Sequence, residues 1–449
     1  MSEQELQERK ASEQMEEVKE EKAAHWELKM SIMKESLGIN NSGQVPTEET
    51  SFHMSVFNLI NSTMGSGILG LAFVMANTGI LFFIILLTLM ALMTTYSIYL
   101  MLLSGVRTGF MNYEEVGEKL FGLKGKYLVF LTIFMQNLGG ILSYLFIIKE
   151  EAPSIIKALL GKEETFSAWY LDGRLIIIFI TIILIFPLCL MKTLGYLGYT
   201  SSMSVACMMF FLIVVIVKKF QISCSFPGKG LSSCQAKLFV LNKRSIYALP
   251  TTAFAFVCHQ AIYPIYSELE RTSMERMMLV TYISLGIVFF IYLASALFGY
   301  LTFYEHVHSS LLHTYYSNDL TILLVRVAVV LAIIFTIPML YITSRKSLNQ
   351  MIEDTEFSFP KRILIAAVTL SLCVLLVILI PSLKDIFGML GATTSNMMIF
   401  IIPSILFFKV ATPKNDKYNR KCVVVFLILG IVFSLLTIPL VIYDWATST

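Results

Sequence analysis

Phe57-Asn58-Leu59-Ile60-Asn61-Ser62-Thr63-Met64-Gly65-Ser66-Gly67-Ile68-Leu69-Gly70 lies inside a run from His53 to Val106 that contains no Asp, Glu, Lys or Arg. Such a run holds two apolar helices of about 20 residues each, with Asn77-Thr78-Gly79 as the turn between them. The first helix is not ordinary. At about 100° per residue, Asn58, Asn61, Ser62, Thr63 and Ser66 spread over roughly 200° of its circumference, too wide for one packing stripe. Gly65 and Gly67 are costly in a helix, and Gly65 lies about 18 Å from His53, near the middle of a bilayer. Close helix packing through Ser62, Ser66 and Gly70 is the competing explanation. A break accounts better for the spread. Freed backbone at membrane depth is tolerated only where it lines a cavity or binds something, so Asn61 to Gly67 is the leading site candidate.

Composition agrees with a membrane setting. The chain has 449 residues, 56% of them apolar and only 14% charged, against roughly 25% charged in soluble domains. Further runs at 127 to 148, 175 to 191, 193 to 217, 245 to 267, 277 to 304, 318 to 343 (containing Arg326), 363 to 383, 386 to 408 and 422 to 443 bring the expected spans to eleven. The predicted class is an all-α polytopic membrane protein. With the N-terminus cytoplasmic, inside segments carry roughly twice as many Lys and Arg as outside ones. The loop 218 to 244 runs against this bias, with Lys218, Lys219, Lys229, Lys237, Lys243 and Arg244 on the outside. An odd number of spans puts the C-terminus outside. No apolar stretch precedes residue 52, so the first span is expected to act as the insertion signal, and residues 1 to 51 read as a polar cytoplasmic tail.

Of the seven Cys, Cys189, Cys207, Cys258, Cys373 and Cys422 read as packed thiols in or beside spans. Cys224 and Cys234 share the outer loop and are expected to form a disulfide, the alternative being two free thiols. The glycosylation-type matches at Asn40 and Asn61 fall in the tail and in a span, neither accessible.

The sixth span carries a second anomaly, Cys258-His259-Gln260-Ala261-Ile262-Tyr263-Pro264. Pro264 cannot donate to the carbonyl of Gln260 and crowds it, which predicts a break there, beside an ionisable His259 at mid-membrane. A structural histidine is the equal alternative. Five crossings separate the two anomalies, so two five-span halves would insert in opposite directions, the inverted-repeat plan of secondary transporters. In the eighth span Thr336 precedes Pro338 and offers a hard oxygen to a small cation, or back-bonds within its own helix. Arg326 is a structural ion partner or a vestibule residue. Gln136, Asn137, Gly139 and Gly140, with Gly388, Gly391, Thr393 and Thr394, read first as close helix packing and second as cavity lining.

These residues resemble the sodium-coupled neutral amino acid transporters of the system A and system N kind, within the amino acid and auxin permease family. The similarity spans about residues 52 to 445. It rests on Ser55-Val56-Phe57-Asn58-Leu59 with Gly65-Ser66-Gly67-Ile68-Leu69-Gly70-Leu71, on Leu194-Gly195-Tyr196-Leu197-Gly198-Tyr199-Thr200-Ser201, on Phe256-Val257-Cys258-His259 and on Ala296-Leu297-Phe298-Gly299-Tyr300-Leu301-Thr302-Phe303-Tyr304. The resemblance implies a LeuT-like core of two inverted five-helix repeats, at 52 to 217 and 245 to 408. The loop 218 to 244 lies between them, and an eleventh helix and short tail follow at 409 to 449. It implies uptake of small neutral amino acids with sodium, Asn61 and Thr336 at the sodium site, and Cys224 with Cys234 as an extracellular disulfide. Ser62-Thr63-Met64 depart from the family pattern, and so does Tyr341-Ile342-Thr343-Ser344-Arg345, which lacks a second proline.

On this reading the substrate is held by Ser62, Thr63, Gly65, Ser66, Gly67, Ile68, His259 and Gln260. Its carboxylate meets N–H groups near Ser66 to Ile68, and its amine meets carbonyls of the sixth-helix break. Sodium is held by Asn61, Ser62 and Thr336. His259 is a possible source of pH dependence. Proton coupling and an amino-acid-sensing transceptor with little flux remain alternatives. No paired buried carboxylates, metal-ligand spacing or nucleophile motif stands in the spans, which argues against an enzyme. A plasma membrane location is expected first, an endolysosomal one second, and no nucleic-acid partner is expected.

Overall fold

The computed structural model describes residues 50–161, 168–191, 197–222, 234–315, 319–352, 357–412 and 416–448. Leu194, Gly195, Tyr196, Cys224 and residues 1–49 of the polar tail lie outside the described residues, while Cys234 is disulfide-bonded. The described residues are helical apart from loops and one isolated bridge.

The uncharged run folds as α1 (Phe52–Thr63), α2 (Gly67–Thr78) and α3 (Ile80–Thr108). Gly79 turns α2 into α3 with φ +82°, a conformation that favours glycine, and a Cβ there would lie 2.5 Å from the carbonyl oxygen of Leu238. There follow α4 (Tyr113–Phe121), α5 (Leu123–Leu159), α6 (Gly173–Cys189), α7 (Leu197–Gln221), α8 (Ala248–Phe256), α9 (His259–Glu268) and α10 (Met274–Phe303). The chain ends with α11 (Leu320–Ile352), α12 (Phe359–Leu379), α13 (Leu383–Val410) and α14 (Lys417–Ser448). Among the described residues, eight helices are long and apolar enough to cross a membrane, or nine if α1 and α2 count as one bent span. The chain is a multi-pass, all-helical membrane protein. Of the two other expected crossings, one is the shorter apolar helix α6 and the other is divided between the short helices α8 and α9.

α10 lies along both halves of the first span, while α5 packs along α11. Polar side chains concentrate at the two ends of the bundle, because charge inside hydrocarbon is costly. At one end, the backbone of Thr50 bridges Glu268 and Glu270, Arg107 grips Asp416 at 2.8 and 2.9 Å, and Ser347 donates to Glu114. Arg345 closes the same end by donating to the carbonyls of Cys189 and Met191. At the opposite end, Asn242 donates to Asn77, Lys218 pairs with Asp319 and Lys237 with Glu305. Two of the basic residues that strained the charge bias are thus matched by acids of the 304 to 319 segment.

Arg326 is a structural ion partner. Its Nε lies 3.2 Å from Glu151 Oε2, with both side chains almost wholly buried, and its Nη2 donates to the carbonyl of Tyr315 at 2.8 Å.

Candidate functional site

The first break forms where the chain expects it. α1 stops at Thr63, Met64 leaves the helical region with φ −75° and ψ 77°, and α2 restarts at Gly67, bent by 59° from α1. The N-terminus of α2 has no side-chain cap, because the Ser66 hydroxyl instead bonds that of Ser143 at 2.6 Å. The first N–H groups of α2 therefore keep their donor capacity and the positive end of the helix dipole. Glycine at 67 permits a close approach, since a Cβ would sit 2.9 Å from both Cα and Cβ of Ala255 in α8.

The second break falls beside His259, as expected, but not at Pro264. Pro264 lies inside α9, and the backbone opens instead at Val257 (φ −72°, ψ 113°) and Cys258 (φ −134°, ψ 10°), between Phe256 and His259. The proline removes one bond, to a carbonyl near the start of α9, and the helix tolerates that single loss. β-branched Val257 takes the extended backbone it prefers. The carbonyls released on the two sides share a partner: the hydroxyl of Tyr292 lies 2.8 Å from Thr63 O and 2.9 Å from Ala255 O. A phenol has one proton, so it serves one carbonyl at a time.

A small, half-open cavity joins the two breaks. Ser62, Thr63, Gly65, Ser66 and Gly67 line it from the first span, and Ala255, Val257 and Gln260 from the sixth. The remaining site candidates do not reach its wall. Ile68 is buried one residue further into α2, and His259 is wholly buried with Nε2 2.8 Å from Ser97 Oγ on α3. Asn61 is half-buried outside the lining, and Thr336 donates to its own helix at Ala332 O, 2.7 Å away. The geometry thus favours the structural alternative for His259, while the Thr336 hydroxyl back-bonds through its proton and keeps its lone pairs.

The third span supplies lining that sequence reasoning had ranked second. Asn137, Gly140 and Tyr144 face the cavity from α5, as does Gln136, whose carbonyl oxygen accepts from Thr394 at 2.6 Å and Ser395 at 3.1 Å. Tyr144 is hydrogen-bonded to the backbone of Ser66 and was absent from the sequence candidates. Its position one helical face along from Asn137 and Gly140 is the signal that could have found it. Gly139 and Gly391 serve packing, since a Cβ would meet Leu390 at 2.2 Å and the carbonyl oxygen of Pro250 at 1.9 Å.

An uncapped helix start, carbonyls at the ends of two interrupted helices and a small, half-open cavity suit a zwitterion. The profile of the family described as "Transmembrane amino acid transporter protein" matches residues 48–444. The chain belongs to this family of amino acid transporters. Membership makes it a transporter and not an enzyme. Within the family, the protein described as "Sodium-coupled neutral amino acid transporter 4" from Pongo abelii is 41% identical over 463 aligned residues. That alignment covers 88% of this chain and 85% of the relative.

Proposed function

We propose that this amino acid transporter is a secondary active symporter, moving small neutral amino acids with sodium by alternating access. The observation that carries the reading is the meeting of two interrupted helices at one cavity, with N–H groups of α2 on one side and carbonyls of Thr63 and Ala255 on the other. The N–H groups and the positive helix end favour the substrate carboxylate, and the carbonyls favour its ammonium group. Sodium coupling is supported by the relative's name.

The finer architecture belongs to the same reading. Counting α6 and the pair α8 and α9 as crossings brings the spans to eleven, and the two breaks then head two inverted five-helix halves, a LeuT-like plan. The end of the bundle holding Arg107 and Arg345 is the cytoplasmic one, with the N-terminal tail there and residues 218 to 244 outside. In that oxidising setting Cys224 pairs with Cys234. Asn61, Ser62 and Thr336 hold the sodium ion; the Thr336 hydroxyl, while donating to Ala332, keeps its lone pairs for a cation. Sodium orders the break, so its gradient favours one access state.

The test is uptake of radiolabelled alanine into proteoliposomes at fixed pH, with sodium on the outside or choline in its place. Uptake that vanishes in choline is the expected result. Uptake that survives in choline but follows an imposed proton gradient would establish proton coupling instead. Saturable binding with no flux would point to a sensor.

A further inference from the structure

Outside the spans, at the end of the bundle where Lys237 pairs with Glu305, two histidines stand side by side. The ring centroids of His308 and His313 are 5.7 Å apart, the rings lie at 78° to one another, and both residues are exposed. The segment that carries them is anchored. Val307, Leu311 and Leu312 are buried, and Leu311 lies against Gly299 of α10, beside Ala72 of α2. The N–H of His308 donates to the Thr314 hydroxyl at 3.1 Å, and that hydroxyl donates to Ser310 O at 3.2 Å. The fold of the loop therefore sets the distance between the two imidazoles, and neither of them lines the cavity.

That distance suits a metal ion. A zinc–nitrogen bond of about 2.0–2.1 Å puts the ion roughly 3.2 Å from the centre of each ligating ring, so the observed separation corresponds to an angle of about 125–130° at the metal. A tetrahedral angle needs the rings only about 0.5 Å closer. The ring torsion of histidine is broad, so exposed rings can turn one nitrogen each toward a common point. Imidazole suits zinc, copper and nickel, whereas hard ions such as magnesium and calcium take oxygen. Among the described residues no group of three His, Cys, Asp or Glu is placed to hold a metal, so water completes the coordination.

We infer that His308 and His313 form a site for a divalent transition-metal ion, zinc among them. An ion held there stiffens a segment that touches α2 and α10 through Leu311, α11 through the Arg326 bond to Tyr315 O, and the start of α13 through Ser309 and Ser382. On the alternating-access reading these helix ends shift against one another, so the bound ion slows transport. The test titrates the purified full chain with zinc against a chromophoric chelator at about pH 7.5, because imidazole binds metal in its neutral form. A zinc ion bound by the native chain is expected to be held about tenfold or more weakly in His308→Ala and in His313→Ala, since losing a ligand costs at least as much as losing an outer-shell partner. Absence of binding, or an affinity unchanged in both variants, overturns the site. In proteoliposomes, zinc is expected to inhibit sodium-dependent alanine uptake by the native chain at roughly tenfold lower concentration than in either variant, whose uptake without zinc is unaltered. Zinc that binds and leaves uptake unchanged overturns the restraint on transport. A chain that binds zinc yet shows no sodium-dependent uptake would remove the symport reading and leave the metal site standing.

Discussion

Gly67→Ala sets two effects of opposite sign against each other. Gly67 is the first residue of α2 and does not occupy the left-handed region, so alanine there relieves backbone entropy, worth at most about 0.5–1 kcal/mol. Against this, the new Cβ would lie 2.9 Å from Cα and Cβ of Ala255, where ordinary contact begins at 3.4 Å. Neither neighbouring atom is a flexible tip, so α2 and α8 must part by about 0.5–1 Å, a strain that costs roughly 1–3 kcal/mol. The steric effect wins. Because the displaced elements are the two halves of the proposed site, misplacement of that size is expected to cut sodium-dependent alanine uptake about ten- to hundredfold. Uptake per unit of reconstituted protein and thermal unfolding in detergent measure the two consequences. Ala255→Gly in the same background, which removes one of the two contacts, should restore part of both. Unchanged uptake with raised thermal stability would refute the close approach of the two breaks.

Tyr292→Phe keeps the ring that packs on Phe256 but leaves Thr63 O and Ala255 O without their shared donor. A loss of about 1–3 kcal/mol of stability is expected, along with a raised KM for substrate, and an unaltered KM would count against the tie. Arg326→Met strands the buried Glu151 carboxyl and should cost about 3–5 kcal/mol, whereas Arg326→Met with Glu151→Leu should recover most of it; thermal unfolding of the two variants decides. The guanidinium of Arg107 lowers the Asp416 carboxyl from 3.8 to about 2. A depressed folded value contributes stability that is complete above about pH 4 and is lost as pH falls toward 2. The gap in unfolding temperature between the native chain and Asp416→Asn is thus expected to be flat from pH 5 to 8 and to close in acid, and a gap that closes near neutrality would contradict it.

Local chemistry carried much of this protein on its own. Charge-free runs of span length, the crowding of Asn61, Ser62, Thr63 and Ser66 on one helix, and glycine at 65 and 67 are properties of neighbouring residues, so the spans and the first break could be read from the chain. The second break could be read only as lying beside His259, not in its cause. Pro264 announces a local cost, but the backbone yields where a partner waits for its freed carbonyl, and that partner, Tyr292, stands on another helix. The same holds for Asn137, whose alternatives of packing and lining differ only in whether a neighbouring side chain meets the amide. His259 looks like a titrating site residue until Ser97 of α3 is seen against its ring. Arg326 demanded an acid, and only folding brought Glu151 to it across 175 positions of sequence. Hydrophobic length and helix-breaking act within a turn or two of the chain, whereas the pairing of polar groups inside a bilayer is decided by which helices lie side by side.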